Sequence, residues 1–228
     1  MAITRVALLA LLLGAVLVNP AAATAAPSVA VSGFEPNKGQ FSAPILYALR
    51  PSAYIASNGL GSMGFFLQFD GAQRAAAITP SGPLPYLVNI YSGADPAKWL
   101  TGVSRFAQVT FADFYSGIDL VYPSATFLTF RFVIKPGGNP AAIQMNYGAI
   151  LTTLSPYGGA ALLVSLPTGR IGQNSVAYQD TLAGHTTVNL QYVALGNNRF
   201  GFVPSAYDTT QPLVIDEVGM PTHESLFP

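Results

Sequence analysis

The chain has no cysteine, only two histidines, and charged residues at just 9% of its positions. Without a thiol there can be no disulfide, thiolate zinc site, iron–sulfur cluster or cysteine nucleophile, so the fold must be held by core burial alone. The histidines, His185 and His223, show no HExxH or comparable ligand spacing, so neither a metal site nor a cofactor is expected. Ten basic residues balance ten acidic ones. No basic stripe is present to neutralise phosphates or an anionic membrane, which removes nucleic acid and lipid surfaces from the expected partners. No Asn-x-Ser/Thr sequon occurs, and no helical periodicity of ordinary length is visible.

What is present is apolar and aromatic. Half of the residues are hydrophobic, with 14 Phe, 11 Tyr and a single Trp. The first residues differ in kind from the rest. Arg5 precedes an apolar run from Val6 to Val18, Asn19-Pro20 breaks it, and Ala23-Thr24-Ala25 is an A-x-A cleavage site. This is the pattern of a secretory signal peptide over residues 1–25. The run is shorter than the roughly 20 residues of a spanning helix, so no membrane insertion is expected after cleavage. The address read from it is export, to the periplasm, the cell surface or the extracellular space, and together with the missing cysteines and sequons it suits a bacterium. Residues 26–228 are expected to form one β-rich domain with a short tail at 217–228.

The stretch from Phe111 to Lys135 organises that domain. Ile118, Leu120 and Tyr122, then Leu128, Phe130, Phe132 and Ile134, alternate with Asp119, Val121, Thr129, Arg131 and Lys135. A period of two gives a single face only in a β-strand, and Pro123-Ser124-Ala125 between the runs marks a hairpin turn. Short apolar runs bounded by Gly, Pro or Asn recur to the end of the chain, among them a hairpin around Gly196-Asn197-Asn198. The expected fold is all-β, an antiparallel β-sandwich-like domain, with a partly closed β-barrel as the alternative. Phe34 to Gln40 and Thr79 to Pro85 read as loops, the latter because of its prolines. Asp95 is expected to cap one helical turn with Pro96 at its first position. A literal G-x-G-x-x-G at Gly59, Gly61 and Gly64 runs into a strand, where a dinucleotide site needs a helix, so these glycines read as a permissive hairpin turn.

Four segments carry a family resemblance: Phe34-Glu35-Pro36-Asn37-Lys38-Gly39-Gln40, the run Asp95 to Val103, Tyr115 to Tyr122, and Ala206-Tyr207-Asp208 followed by Pro212 to Asp216. On these the chain resembles a bacterial domain of unknown function found near the N-terminus of exported proteins, often ahead of β-propeller-type (SBBP) repeats. The resemblance implies a β-rich fold and a cell-surface or extracellular setting, and it supplies no catalytic residues. The chain departs from the pattern at Arg131, where the family tends to carry an acidic residue.

Candidate sites are few. Glycosidases need two carboxylates facing a substrate, and Asp113, Asp119 and Asp208 each adjoin aromatics; the structural alternative is that they accept backbone hydrogen bonds at strand ends. A Ser–His–Asp set would have to use His185 and Asp180. Trp99 beside Lys98, together with Tyr115 and Tyr207, is the candidate binding set, since exposed aromatics stack on sugars or anchor proteins, unless Trp99 plugs one end of the sandwich. The expected function is an exported, non-catalytic binding or structural module for a glycan or surface protein. A glycan-active hydrolase using paired Asp residues and a subunit of a surface assembly are the alternatives.

Overall fold

The computed structural model describes residues 33–221 apart from 50–52, 63–64, 75, 125–128, 156–159, 167–168 and 183. The leader at 1–25, Gly64, Ala125, Leu128 and His223 lie outside the described residues. The alternation in the sequence is realised as strands. β1 (Phe34–Pro36), β2 (Ile45–Leu49), β3 (Ala53–Ala56), β4 (Gly59–Ser62) and β5 (Phe65–Phe69) are short, whereas β6 (Ala77–Ile90) and β7 (Leu100–Tyr115) make one long hairpin. β8 (Ile118–Pro123) and β9 (Thr129–Ile134) are the central hairpin. β10 (Met145–Asn146), β11 (Thr152–Leu154), β12 (Ala161–Leu166), β13 (Gly169–Thr181) and β14 (Gly184–Val188) follow, and β15 (Leu190–Gly196), β16 (Arg199–Pro204) and β17 (Leu213–Pro221) end the series.

All the described strands belong to one sheet, and their pairings are antiparallel. The sheet forks at β7. One edge of β7 carries β6; the other carries β8 along its second half and β1 at Phe34↔Phe106. From β8 the order runs β9, β17, β13, with β12 and β14 side by side on β13 and β11 beyond β12. From β1 it runs β2, β3, β4, β5, β10, β16, β15. The two branches face each other across the core, so the fold is all-β with its sheet nearly closed into a barrel.

Phenylalanines bind the branches together. Phe69 of β5 meets Phe114, Phe130 and Phe132 edge to face at centroid distances of 5.5, 5.6 and 5.7 Å, and Phe132 reaches Phe202 of β16 at 6.2 Å. Such geometry adds to the burial term because ring edges meet ring faces. Ile118, Leu120, Tyr122, Phe130, Phe132 and Ile134 are buried as the alternation requires. Val121, expected on the outer face, is also buried, flanked in register by Thr110 and Arg131.

Other departures have physical causes. Phe34 to Pro36 is a strand and only Asn37 onward is loop. The proline-rich stretch Thr79 to Pro85 lies within β6, which pairs with β7 alone among the described strands. An edge strand tolerates residues without an N–H, and such residues also blunt edge-to-edge association. Gly59 and Gly61 form strand β4 and not a turn. What demands glycine there is proximity: a Cβ at Gly59 would stand 2.3 Å from the Leu67 carbonyl oxygen, and one at Gly61 would stand 2.0 Å from the Tyr54 ring. The stacked Tyr54 and Phe66 rings, 6.3 Å apart, flank Gly61 in register. Gly59→Ala is therefore expected to destabilise the fold by about 1–3 kcal/mol, as overpacking does, read as a lower urea midpoint with an unchanged slope. Finally, β17 continues through Pro221, so residues 217–221, expected in the tail, belong to the sheet.

Candidate binding surface

The distal half of the β6–β7 hairpin carries Tyr86, Leu87, Tyr91 and Trp99, all exposed. Its tip is built as the sequence suggests. Asp95 caps a 3-10 turn at Pro96–Lys98 by accepting the Ala97 N–H at 3.0 Å, with proline at the first position. Trp99 does not plug the core. It is 39% exposed, meets Tyr91 (62% exposed) edge to face at 5.1 Å, and its Nε1 donates to the Gly93 carbonyl at 3.2 Å. The indole is thus oriented by a hydrogen bond and a ring contact while still presenting surface.

Beside the hairpin lies the loop after β1, organised by Asn37. Its Oδ1 accepts the N–H groups of Gly39 and Phe41 at 2.9 and 3.2 Å, and its Nδ2 donates to the Ile45 carbonyl at 2.7 Å. Gln40 closes the loop, accepting the Lys38 N–H at 2.6 Å and donating to the Pro36 carbonyl at 2.8 Å. Lys38 and Gln40 on this side, with Ile90, Ser92, Lys98 and Leu100 on the other, line a groove of about 370 Å³. A second hollow of about 280 Å³ shares Ile90 and includes Glu35 and Arg105. There the fully buried Glu35 carboxylate receives Arg105 Nε and Nη2 at 3.1 and 2.7 Å. Tyr91 and Trp99 do not line the groove. Lys38, Gln40, Lys98 and Leu100 come from segments that carry the family resemblance, whereas Ile90 and Ser92 do not.

The candidate carboxylates have local partners. Asp113, at φ 51° in the bulge near the end of β7, and Asp119 both contact Lys135 Nζ at 2.8 Å. Asp119 Oδ1 also accepts the Asp113 N–H at 2.7 Å. The hydrogen bonds that Lys135 donates to both carboxylates, Asp113's first, push its ammonium pKa up. A glycosidase pair addresses its substrate from two sides, whereas these two converge on one ammonium. Asp208 caps its own turn through the Thr210 N–H at 2.9 Å and hydroxyl at 2.6 Å, which hold its carboxyl below the usual range. His185 and Asp180 are cross-strand neighbours, with Nδ1 2.8 Å from Oδ1, and the imidazole lies 4.6 Å from the Tyr178 ring. Of the remaining binding candidates, Lys98 lines the groove and Tyr207 packs partly buried against the core. Tyr115 is a correction to the surface set: it is 3% exposed, donates to the Asp70 carbonyl at 3.1 Å, and burial pushes its pKa up. Among the described residues no group of three or more His, Cys, Asp or Glu could hold a metal, and no helix is long and apolar enough to cross a membrane.

One group escaped the sequence reading. Glu217 is 0% exposed, inside the core, because it continues the inward phase of Leu213 and Ile215 along β17. Its Oε2 accepts Gln173 Nε2 at 2.6 Å and the Tyr192 hydroxyl at 2.7 Å, and its Oε1 accepts the Ser175 hydroxyl. Tyr147 donates in turn to Gln173 Oε1 at 2.6 Å. These donors are neutral. Burial pushes the Glu217 carboxyl up to about 7, against the pull of the Ser175, Tyr192 and Gln173 hydrogen bonds. The signal was the two-residue phase itself, which passes through Glu217 without a break.

An antiparallel sheet almost closed on itself, with a long hairpin offering aromatics at its tip, defines an all-β module. Residues 56–218, more than half of the chain, match the model of a domain of unknown function, DUF7948, and the chain belongs to that family. No curated protein and no solved structure matches it.

Proposed function

We propose that the chain is an exported, non-catalytic binding module of a bacterium, working at the cell surface, in the periplasm or outside the cell, and engaging a glycan or a surface protein through the tip of the β6–β7 hairpin. The observation that carries this reading is the Tyr91–Trp99 pair, exposed yet held by its ring contact and by the bond to Gly93. Aromatic side chains fixed before contact lose little entropy on binding and offer large apolar area. The leader pattern at 1–25 supports the address. The convergence of Asp113 and Asp119 on Lys135, and the local capping by Asp208, support the non-catalytic half.

The test is the double variant Tyr91→Ala/Trp99→Ala. Because both rings stand outside the core, its melting curve should stay near that of the native chain, while affinity for whichever glycan or surface protein the native chain retains should fall at least about tenfold, as for hot-spot aromatics. Unchanged affinity in a folded double variant would remove the hairpin tip from the account.

A further inference from the structure

We infer that the groove between the Asn37-centred loop and the β6–β7 hairpin is a binding site for an acidic sugar residue of a polysaccharide, with Lys38 and Lys98 pairing its carboxylate and neighbouring anionic groups. This goes beyond the role of the hairpin tip and does not need it, since Tyr91 and Trp99 do not line the groove. At about 370 Å³ the groove lies in the size range of small-ligand sites. Its charge is one-sided. Lys38 and Lys98 contribute two ammonium groups, and the buried Glu35 in the adjoining hollow is held by Arg105 through two nitrogens. Asp95 stands 3.9 Å from Lys98 Nζ, beyond hydrogen-bond range, and both side chains are more than half exposed, so that pair is weak and leaves the ammonium's donors to a ligand.

Both walls are also set before any ligand arrives. Asn37 and Gln40 fix the backbone around Lys38, and Asp95 fixes the turn that carries Lys98. Ser92 offers a hydroxyl to the groove, and Ile90 and Leu100 offer apolar surface. A sugar ring that bears a carboxylate has the matching parts: an anion, hydroxyls and a C–H face. A neutral sugar carries no anion for the two ammonium groups to pair with.

The experiment is affinity electrophoresis of the purified chain through gels containing polygalacturonate or neutral dextran, comparing the native protein with Lys38→Gln/Lys98→Gln, each checked for folding by its melting curve. Polygalacturonate is expected to retard the native protein and dextran to do so much less. The double lysine substitution should weaken the acidic interaction about tenfold, the loss expected for two exposed ion pairs. Salt at about 0.5 M should erase the difference, because exposed pairs are screened. Equal retardation by the two polymers, no retardation by polygalacturonate, or undiminished retardation of the folded lysine variant would overturn the assignment.

Discussion

Phe69→Ala is expected to cost about 3–5 kcal/mol, the range for removing a buried phenylalanine ring, and so to consume a large share of the roughly 5–15 kcal/mol that holds a typical domain together. Phe69 is where β5, from one branch of the sheet, meets Phe114 of β7 and Phe130 and Phe132 of β9, from the other. Its loss opens a cavity between the branches, where neither can relax without shifting a paired strand. Without any disulfide to limit the unfolded ensemble, burial alone must offset the conformational entropy of the chain. Phe66, one strand position from Leu67 and stacked on Tyr54, is only half-buried, and Phe66→Ala should cost no more than about half as much. The comparison is read from urea unfolding of the two variants. Equal losses would mean that the Phe69 cluster is not what joins the branches.

The second large effect is a reversed pH dependence centred on Glu217. Its carboxyl sits near 4.5 when solvated and about 7 in the fold, so the folded state retains a proton that the unfolded state gives up. The associated stability is fully present below about pH 4.5 and falls as pH rises, by roughly 1.4 kcal/mol per pH unit, levelling off above about 7 after a loss of about 3 kcal/mol. Glu217→Gln keeps the shape and stays neutral. It should flatten the stability profile between about pH 5 and pH 8 and unfold at higher urea than the native chain at the alkaline end. Parallel profiles for the two proteins would show that another group titrates there.

The sequence disclosed the strands wherever a single face decided burial. Phe130 to Ile134 alternate cleanly and are buried accordingly, Ile118, Leu120 and Tyr122 are buried as expected with Val121 the exception, and Asn197 and Asn198, at φ 51° and 56°, make the hairpin turn that their residue types favour. It was harder to read where burial depends on distant strands. Glu217, next to Asp216 and near the end, looked like the start of a polar tail, because the Ser175, Gln173 and Tyr192 side chains that satisfy it arrive from 25 to 44 residues away. Gly59 and Gly61 looked like turn residues because the crowding that requires them comes from Leu67 and Tyr54 across neighbouring strands. In the candidate binding surface, Trp99, Lys98 and the Asp95 cap were legible locally. The opposing wall was not, since Asn37 and Lys38 reach the hairpin only through the pairing of β1 with β7.

The non-catalytic binding role is tested most directly by incubating the purified chain with suspended cell-surface and environmental polysaccharides, then measuring both the protein that pellets and the sugar released. The account predicts that protein pellets with at least one polysaccharide, that no sugar is released, and that Tyr91→Ala/Trp99→Ala pellets less. Released sugar that disappears when Asp113 or Asp119 is replaced by Asn in a folded protein would contradict it and make those carboxylates the site.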